Sequence, residues 1–278
     1  MAVADELIEM RGLRFHYRDW TAQRAEAPDL VLLHGFTGHA RSWDAFAEAM
    51  TDRYRVLALD QRGHGETAWA AADKYGAGEM VDDLAAFVGA LGLKRFSLLG
   101  LSMGGNVAIH YGGRRPPELA ELVIVDIAPE IVPAGASRIQ TGVRAGDVFP
   151  SREAAFAAAR AANATPPEAH HRQRVDHSLM RTEDGRWTYR YDRALRSPGT
   201  VRARDTDAGW RAVANIAVPT LLIRGETSDI LSPELAQRML DANPNIRLTT
   251  VAGSGHSVPL DKPEGFLAAC REFLTGDR

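Results

Sequence analysis

The sequence predicts an α/β fold: a mostly parallel sheet with helices on both faces and one inserted segment. Three observations carry that reading. Short, wholly apolar runs recur (Leu30-Val-Leu-Leu33, Phe96–Leu99, Leu122-Val-Ile-Val125), the composition of strands buried on both faces. Stretches with helical spacing alternate with them, the pattern of parallel strands joined by crossover helices. The alternation lapses between about residues 130 and 212 and resumes at Pro219-Thr-Leu-Leu-Ile223. The chain thus divides into a core, residues 1–129 and 213–278, and a helical cap, residues 130–212, inserted between two sheet strands.

The chain opens on loosely alternating apolar positions (Leu7, Met10, Leu13, Phe15, Tyr17) around Arg11-Gly12, a hairpin pattern. The strand Leu30–Leu33 runs into His34-Gly35-Phe36-Thr37-Gly38. Helix signals cover Ser42–Met50, a strand covers Arg55–Leu59, and the loop Asp60-Gln-Arg-Gly-His-Gly65 follows. Met80, Leu84, Phe87, Val88 and Leu91 place one apolar face on a helix over Tyr75–Leu91, stopped by Gly92. Phe96–Leu99 leads into a glycine-rich turn, and the helix from Met103 to about Arg114 is closed by Pro116-Pro117. After the strand Leu122–Ile127, the inserted segment shows helix-like stretches over Ser151–Ala162 and Glu168–Met180 and no apolar strand run. A helix over Pro233–Leu240, a strand over Arg247–Val251 and a last helix from about Pro263 to Leu274 complete the core.

Composition narrows the class. Of the 278 residues 45% are hydrophobic and 25% charged, enough apolar material for one large core. A net charge of −3 gives no general attraction to nucleic acid or to an anionic membrane. Cys270 is the single cysteine, which rules out an intramolecular disulfide, and its helical setting predicts a packed thiol. Met1–Glu9 carries acid where a secretion signal needs base and an apolar run, and no segment reaches the ~18 apolar residues of a membrane span. The expectation is a reduced, cytoplasmic protein.

Reactive residue types fall at the carboxyl ends of the predicted strands, where doubly wound sheets bind ligands. Gly100-Leu-Ser102-Met-Gly104 sits where a strand turns into a helix; its glycines remove the side chains that would collide with so sharp a turn. Ser102 is thereby presented as a nucleophile. A serine hydroxyl needs an imidazole to take its proton, and the imidazole needs a carboxylate to fix its tautomer. His256, in Gly253-Ser-Gly-His256, supplies the base. Two acids compete: Asp229 lies just past the strand that follows the insertion, and Asp126 ends the strand before it. The N–H groups of Met103 and Phe36 are the natural donors to a developing oxyanion.

The set His34-Gly35, Asp60-Gln-Arg-Gly-His-Gly65, Gly100-Leu-Ser-Met-Gly104 and Gly253-Ser-Gly-His256 resembles the α/β-hydrolase fold family, in order, over nearly the whole chain outside the insertion. The resemblance implies an eight-stranded-type sheet, a cap roofing the site, Ser102 as nucleophile, His256 as general base, and Phe36 and Met103 as the oxyanion hole. It prefers Asp229 as the acid. Relatives sharing the Asp126-Ile-Ala-Pro129 stretch take it from there, so Asp126 stands as the alternative.

The other conspicuous residues have plainer readings. Arg62 and His64 brace their loop, and His110 is a packed or surface histidine on a helix. His170-His171 lacks the companions of a metal site. No phosphate loop or dinucleotide fingerprint is present, so neither metal nor cofactor is expected. The inserted segment is more telling: residues 130–211 hold fourteen arginines, no lysine and ten acids, a balance of +4 that leaves −7 for the rest of the chain. Either these arginines face solvent and local acids, or one or two of them, such as Arg138, Arg144 or Arg172, clamp a substrate carboxylate. Trp187, Tyr189, Tyr191 and Trp210 are candidate pocket walls, with Trp187 and Trp210 equally suited to anchoring the cap. His34 is a further candidate for substrate contact.

The resulting expectation is a cofactor-free serine hydrolase cleaving a small carboxylic ester, lactone or related acyl compound through an acyl-enzyme. The alternatives are hydrolysis of a carbon–carbon or amide bond in an anionic ring-cleavage product, or, in another class, a non-catalytic receptor for a small ligand on the same fold.

Overall fold

The computed structural model describes residues 3–135, 137, 146–197 and 205–276. Eight strands form one sheet: β1 (Val3–Met10), β2 (Leu13–Trp20), β3 (Asp29–Leu33), β4 (Arg55–Leu59), β5 (Phe96–Leu101), β6 (Leu119–Val125), β10 (Thr220–Gly225) and β11 (Ile246–Val251). Their order is β1-β2-β4-β3-β5-β6-β10-β11. β1 and β2 form the predicted hairpin, and β2 also runs antiparallel to β4. From β4 to β11 all neighbours are parallel.

The apolar runs are buried on both sides, and alternate residues serve opposite faces. Val31 and Leu33 join the cluster under α2 (Ala77–Ala90), α3 (Met103–Gly113), α6 (Thr206–Asn215) and α7 (Pro233–Ala242). Leu30 and Leu32 join the cluster under α1 (Asp44–Met50) and α9 (Pro263–Leu274), the latter following the single turn α8 (Val258–Asp261). Cys270 lies in the second cluster, fully buried, and burial pushes its thiol well above the usual range.

The segment between β6 and β10 departs from a wholly helical reading. Helices α4 (Arg152–Ala162) and α5 (Glu168–Ser178) form where expected, α4 capped by the Ser151 hydroxyl. Beside them β7 (Val148–Phe149), β8 (Leu179–Arg181) and β9 (Trp187–Tyr189) make a small antiparallel sheet. Strands of two or three residues are too short to show alternation, and Met180 ends in one of them rather than in α5. The expected boundary at 212 also falls inside α6. That helix packs on α3, where a Cβ on Gly113 would lie 2.7 Å from Ala212, so it belongs with the core layers. The cap has a small core of its own, Ala155, Phe156, Val175 and Leu179.

Candidate active site

Ser102 lies between β5 and α3 with φ 53° and ψ −108°, a left-handed conformation that strains any residue with a side chain. The turn around it leaves no room for other side chains. A Cβ on Gly100 would lie 2.3 Å from the Gly104 carbonyl oxygen, and one on Gly104 would lie 2.5 Å from that of Leu33. Ser102 N–H donates to Val125 O (3.0 Å) and Gly104 N–H to His34 O (3.2 Å), pinning the turn to both neighbouring strand ends.

His256 follows β11. Its Nδ1–H donates to Asp126 Oδ2 (2.8 Å), which leaves Nε2 as the acceptor for the Ser102 hydroxyl at 2.9 Å. Asp126 ends β6, also at positive φ (53°), and is fully buried. Three donors compensate its carboxylate: the Gly225 N–H (2.8 Å), His256 and the Ser228 hydroxyl.

The imidazole thus donates to Asp126 and not to Asp229, the acid that the resemblance prefers. Two features account for the difference. β6 lies between the serine strand β5 and β10, so its end faces His256 directly. In the turn after β10 it is Ser228 that reaches inward, its hydroxyl on Asp126 and accepting from Ile230 and Leu231 N–H. Asp229 is half-buried, its backbone carbonyl packed where a Cβ on Gly135 would intrude at 2.3 Å.

Facing Ser102 across the turn is the loop after β3. A Cβ on Gly35 would contact the Ser102 Cβ at 3.4 Å. The N–H groups of Phe36 and Met103 make no backbone hydrogen bond among the described residues. His34, a candidate for substrate contact, is instead buried, and both ring nitrogens are committed: Nδ1–H to Gly35 O (2.8 Å), Nε2 from Gln61 N–H (3.0 Å). Burial lowers its pKa to about 4, so it is a neutral brace. Arg62 grips buried Asp83 with two nitrogens (2.5 and 2.6 Å), and His64 donates to Arg62 O (3.0 Å), the bracing roles expected of them.

The cap meets this loop through aromatic rings. Tyr189 stacks on Tyr191 (centroids 6.2 Å apart), and Tyr191 lies 5.9 Å from the Phe36 ring. Trp187 packs partly buried against the cap's own core, flanked by the guanidinium groups of Arg152 and Arg181. Trp210, on α6, donates to Glu130 Oε1 (2.6 Å) in the loop after β6. Arg172 lies over Phe156 (4.0 Å) near Glu153 and Glu168, committed to the cap surface. Arg138 and Arg144 lie outside the described residues.

Two participants went unpredicted. Ser228 carried a signal, a hydroxyl in the tight turn directly after an apolar strand. Asp261 carried none, since Val258-Pro-Leu-Asp reads as an ordinary helix start. Buried Asp261 accepts from Gly255 N–H (2.8 Å), the residue before His256, and from the cap residue Asn163 Nδ2 (2.8 Å). A cleft of about 980 Å³ lies beside Asp261, lined by residues of α1, α5 and α9, Arg174 among them, and by neither Ser102 nor His256.

The family profile described as the alpha/beta hydrolase family matches residues 30–269, and the chain belongs to that family. It is a hydrolase, as are its relatives. The 3-hydroxybutyrate-oligomer hydrolase of Cupriavidus necator is 26% identical, over 98% of this chain and 96% of that protein. N-formylmaleamate deformylase of Pseudomonas putida is 29% identical over 98% and 97%. Among solved structures, E-2-(acetamidomethylene)succinate hydrolase superposes with a TM-score of 0.89 at 22% identity, covering 99% of this chain and all of that one. Among the described residues no helix is long and apolar enough to cross a membrane.

Proposed function

We propose that this hydrolase is cofactor-independent and cleaves small acyl compounds, carboxylic esters or lactones, through an acyl-enzyme on Ser102. The observation that carries the reading is the unbroken hydrogen-bond path from Ser102 Oγ through His256 to Asp126, at 2.9 and 2.8 Å. As Oγ attacks the carbonyl carbon, its proton passes to His256 Nε2, and Asp126 steadies the imidazolium. The negative charge on the former carbonyl oxygen falls to the N–H groups of Phe36 and Met103, each donor worth roughly 3 kcal/mol in such sites. Collapse breaks the acyl–oxygen bond, and His256 returns the proton to the leaving alkoxide. Water then attacks the acyl-enzyme, giving one proton to His256 and releasing the acid as Ser102 recovers it.

Amide cleavage is the second reading, favoured by the full-length similarity to a deformylase. It uses the same groups, with the proton delivered to nitrogen. A fluorophosphonate probe tests both: the wild type labels and turns over p-nitrophenyl butyrate, and Ser102→Ala does neither, with kcat down by ~10⁴-fold or more. Equal labelling of the two proteins would end the serine reading. A non-catalytic receptor would show no turnover in either.

A further inference from the structure

The loop that carries His256 is held from two directions. From the turn after β10, Glu226 Oε2 accepts from Gly253 N–H (2.8 Å), and the Thr227 N–H and hydroxyl both donate to Ser254 O (2.9 and 3.0 Å). From α8, Asp261 brackets the histidine itself. Its Oδ2 accepts from the N–H of Gly255, the residue before His256 (2.8 Å), and its own N–H donates to the carbonyl of Ser257, the residue after (2.8 Å). Peptide 255 has little slack on its other side, because a Cβ on Gly225 would lie 2.1 Å from Gly255 O. One residue thus sets the backbone on both flanks of the base, yet the path through Ser102, His256 and Asp126 does not pass through it.

The Asp261 carboxylate is buried, and the donor to its second oxygen comes from the cap. Asn163, which closes α4, donates from Nδ2 to Asp261 Oδ1 (2.8 Å). The amide does not serve either way round: its Oδ1 accepts from Thr165 N–H (3.0 Å), so Nδ2 is the end that faces the carboxylate. A buried carboxylate oxygen left without a donor is costly, and the cleft beside Asp261, which Thr165 also lines, leaves solvent for the group to turn toward. Such a turn takes Oδ2 off Gly255. His256 has to keep 2.9 Å to Ser102 Oγ and 2.8 Å to Asp126 at once, and a misplacement of about 1 Å costs such a site on the order of 100-fold.

We propose that Asp261 is a positioning residue for His256, and that Asn163 makes its hold depend on the cap being seated; this rests on the serine-hydrolase reading above. Cap docking and alignment of the base are then one event, and the cap acts on the chemical step for every acyl substrate alike.

The test is a reciprocal swap. Asp261→Asn has one oxygen for two donors, and Asn163→Asp sets two carboxylates face to face. Asn163→Asp/Asp261→Asn restores all three hydrogen bonds with the charge moved into the cap. Each single variant lowers kcat about 10- to 100-fold on p-nitrophenyl acetate, butyrate and hexanoate alike, with KM within about threefold, and the swap returns kcat to within about threefold of the wild type. The single variants also broaden the downfield proton resonance of the His256 Nδ1–H, assigned by its loss in His256→Ala, and the swap sharpens it again. A role in stability alone would move the melting temperature and leave that line in place. The two single variants reach the same contact from opposite sides, so the result does not hang on one of them folding. Unchanged kcat, a loss that varies with acyl length, or a folded swap that stays slow overturns the inference. An inactive Ser102→Ala beside unchanged Asp261 and Asn163 variants overturns it alone, whereas a fully active Ser102→Ala overturns the serine reading as well.

Discussion

Core and cap treat their buried charges in opposite ways. In the core, Asp126 has three donors, Arg62 has both Asp83 oxygens, and Asp60 accepts from the Ala40 and Glu66 N–H groups and from His16. In the cap, Arg174 is half-buried, and among the described residues nothing bonds its guanidinium. A closed network fixes geometry, which acyl chemistry needs. An open charge fixes no geometry and is free to move. One fold accommodates both because the two are on different layers.

The sharpest way to break that comparison is to open a closed site. Asp126→Asn should lower kcat on p-nitrophenyl butyrate by ~10⁴-fold, because the imidazole loses its fixed tautomer. Asp229→Asn should stay within about threefold, because the imidazole donates to Asp126. The reverse outcome would return the acid to the turn after β10.

A smaller effect is expected at the seam. Asn163→Ala removes the cap's donor to buried Asp261, whose other oxygen holds Gly255. A buried carboxylate short of one donor costs about 1–3 kcal/mol. Because Gly255 adjoins His256, kcat should fall several-fold with KM little changed, and the melting temperature should drop. A fall confined to KM would show the cap acting on binding alone.

The least effect is on pH dependence. Burial lowers the pKa of His39 to about 4, so the folded chain leaves it neutral where the unfolded chain protonates it near 6.5. The unfolded state therefore binds the extra proton between those values. Stability is full above about pH 6.5 and is lost as pH falls toward 4, at roughly 1.4 kcal/mol per pH unit for this one proton. His39→Gln should flatten the plot of unfolding free energy against pH by about one proton, measured by urea titration at pH 4.5–7.

The core was legible because its constraints are steric and local. Gly100 and Gly104 must be glycine because a Cβ on either would lie within 2.5 Å of backbone oxygen, and such demands mark the chain plainly. The ends of β3, β5, β6 and β10 could likewise be read from apolar runs. The choice between Asp126 and Asp229 was not legible, since both follow buried strands. What separates them is the inward turn of Ser228 and the left-handed backbone at Asp126, neither visible in residue types. The cap resisted reading for another reason. Its strands are two or three residues long, and an arginine's partner is set by tertiary neighbours, so Arg172 and Arg174 look alike in sequence and differ only in what surrounds them.

Part of the seam is stitched through backbone atoms. Asp192 N–H donates to Gly63 O (2.7 Å), Gly65 N–H donates to Arg190 O (3.0 Å), and His39 meets the Arg174 carbonyl. Main-chain groups survive almost any substitution, so cap side chains outside the seam can vary while this part of its seat on the core persists. Selectivity can then be inherited, lost or exchanged separately from the chemistry. A lineage built this way changes its diet by editing the lid and leaves the blade alone.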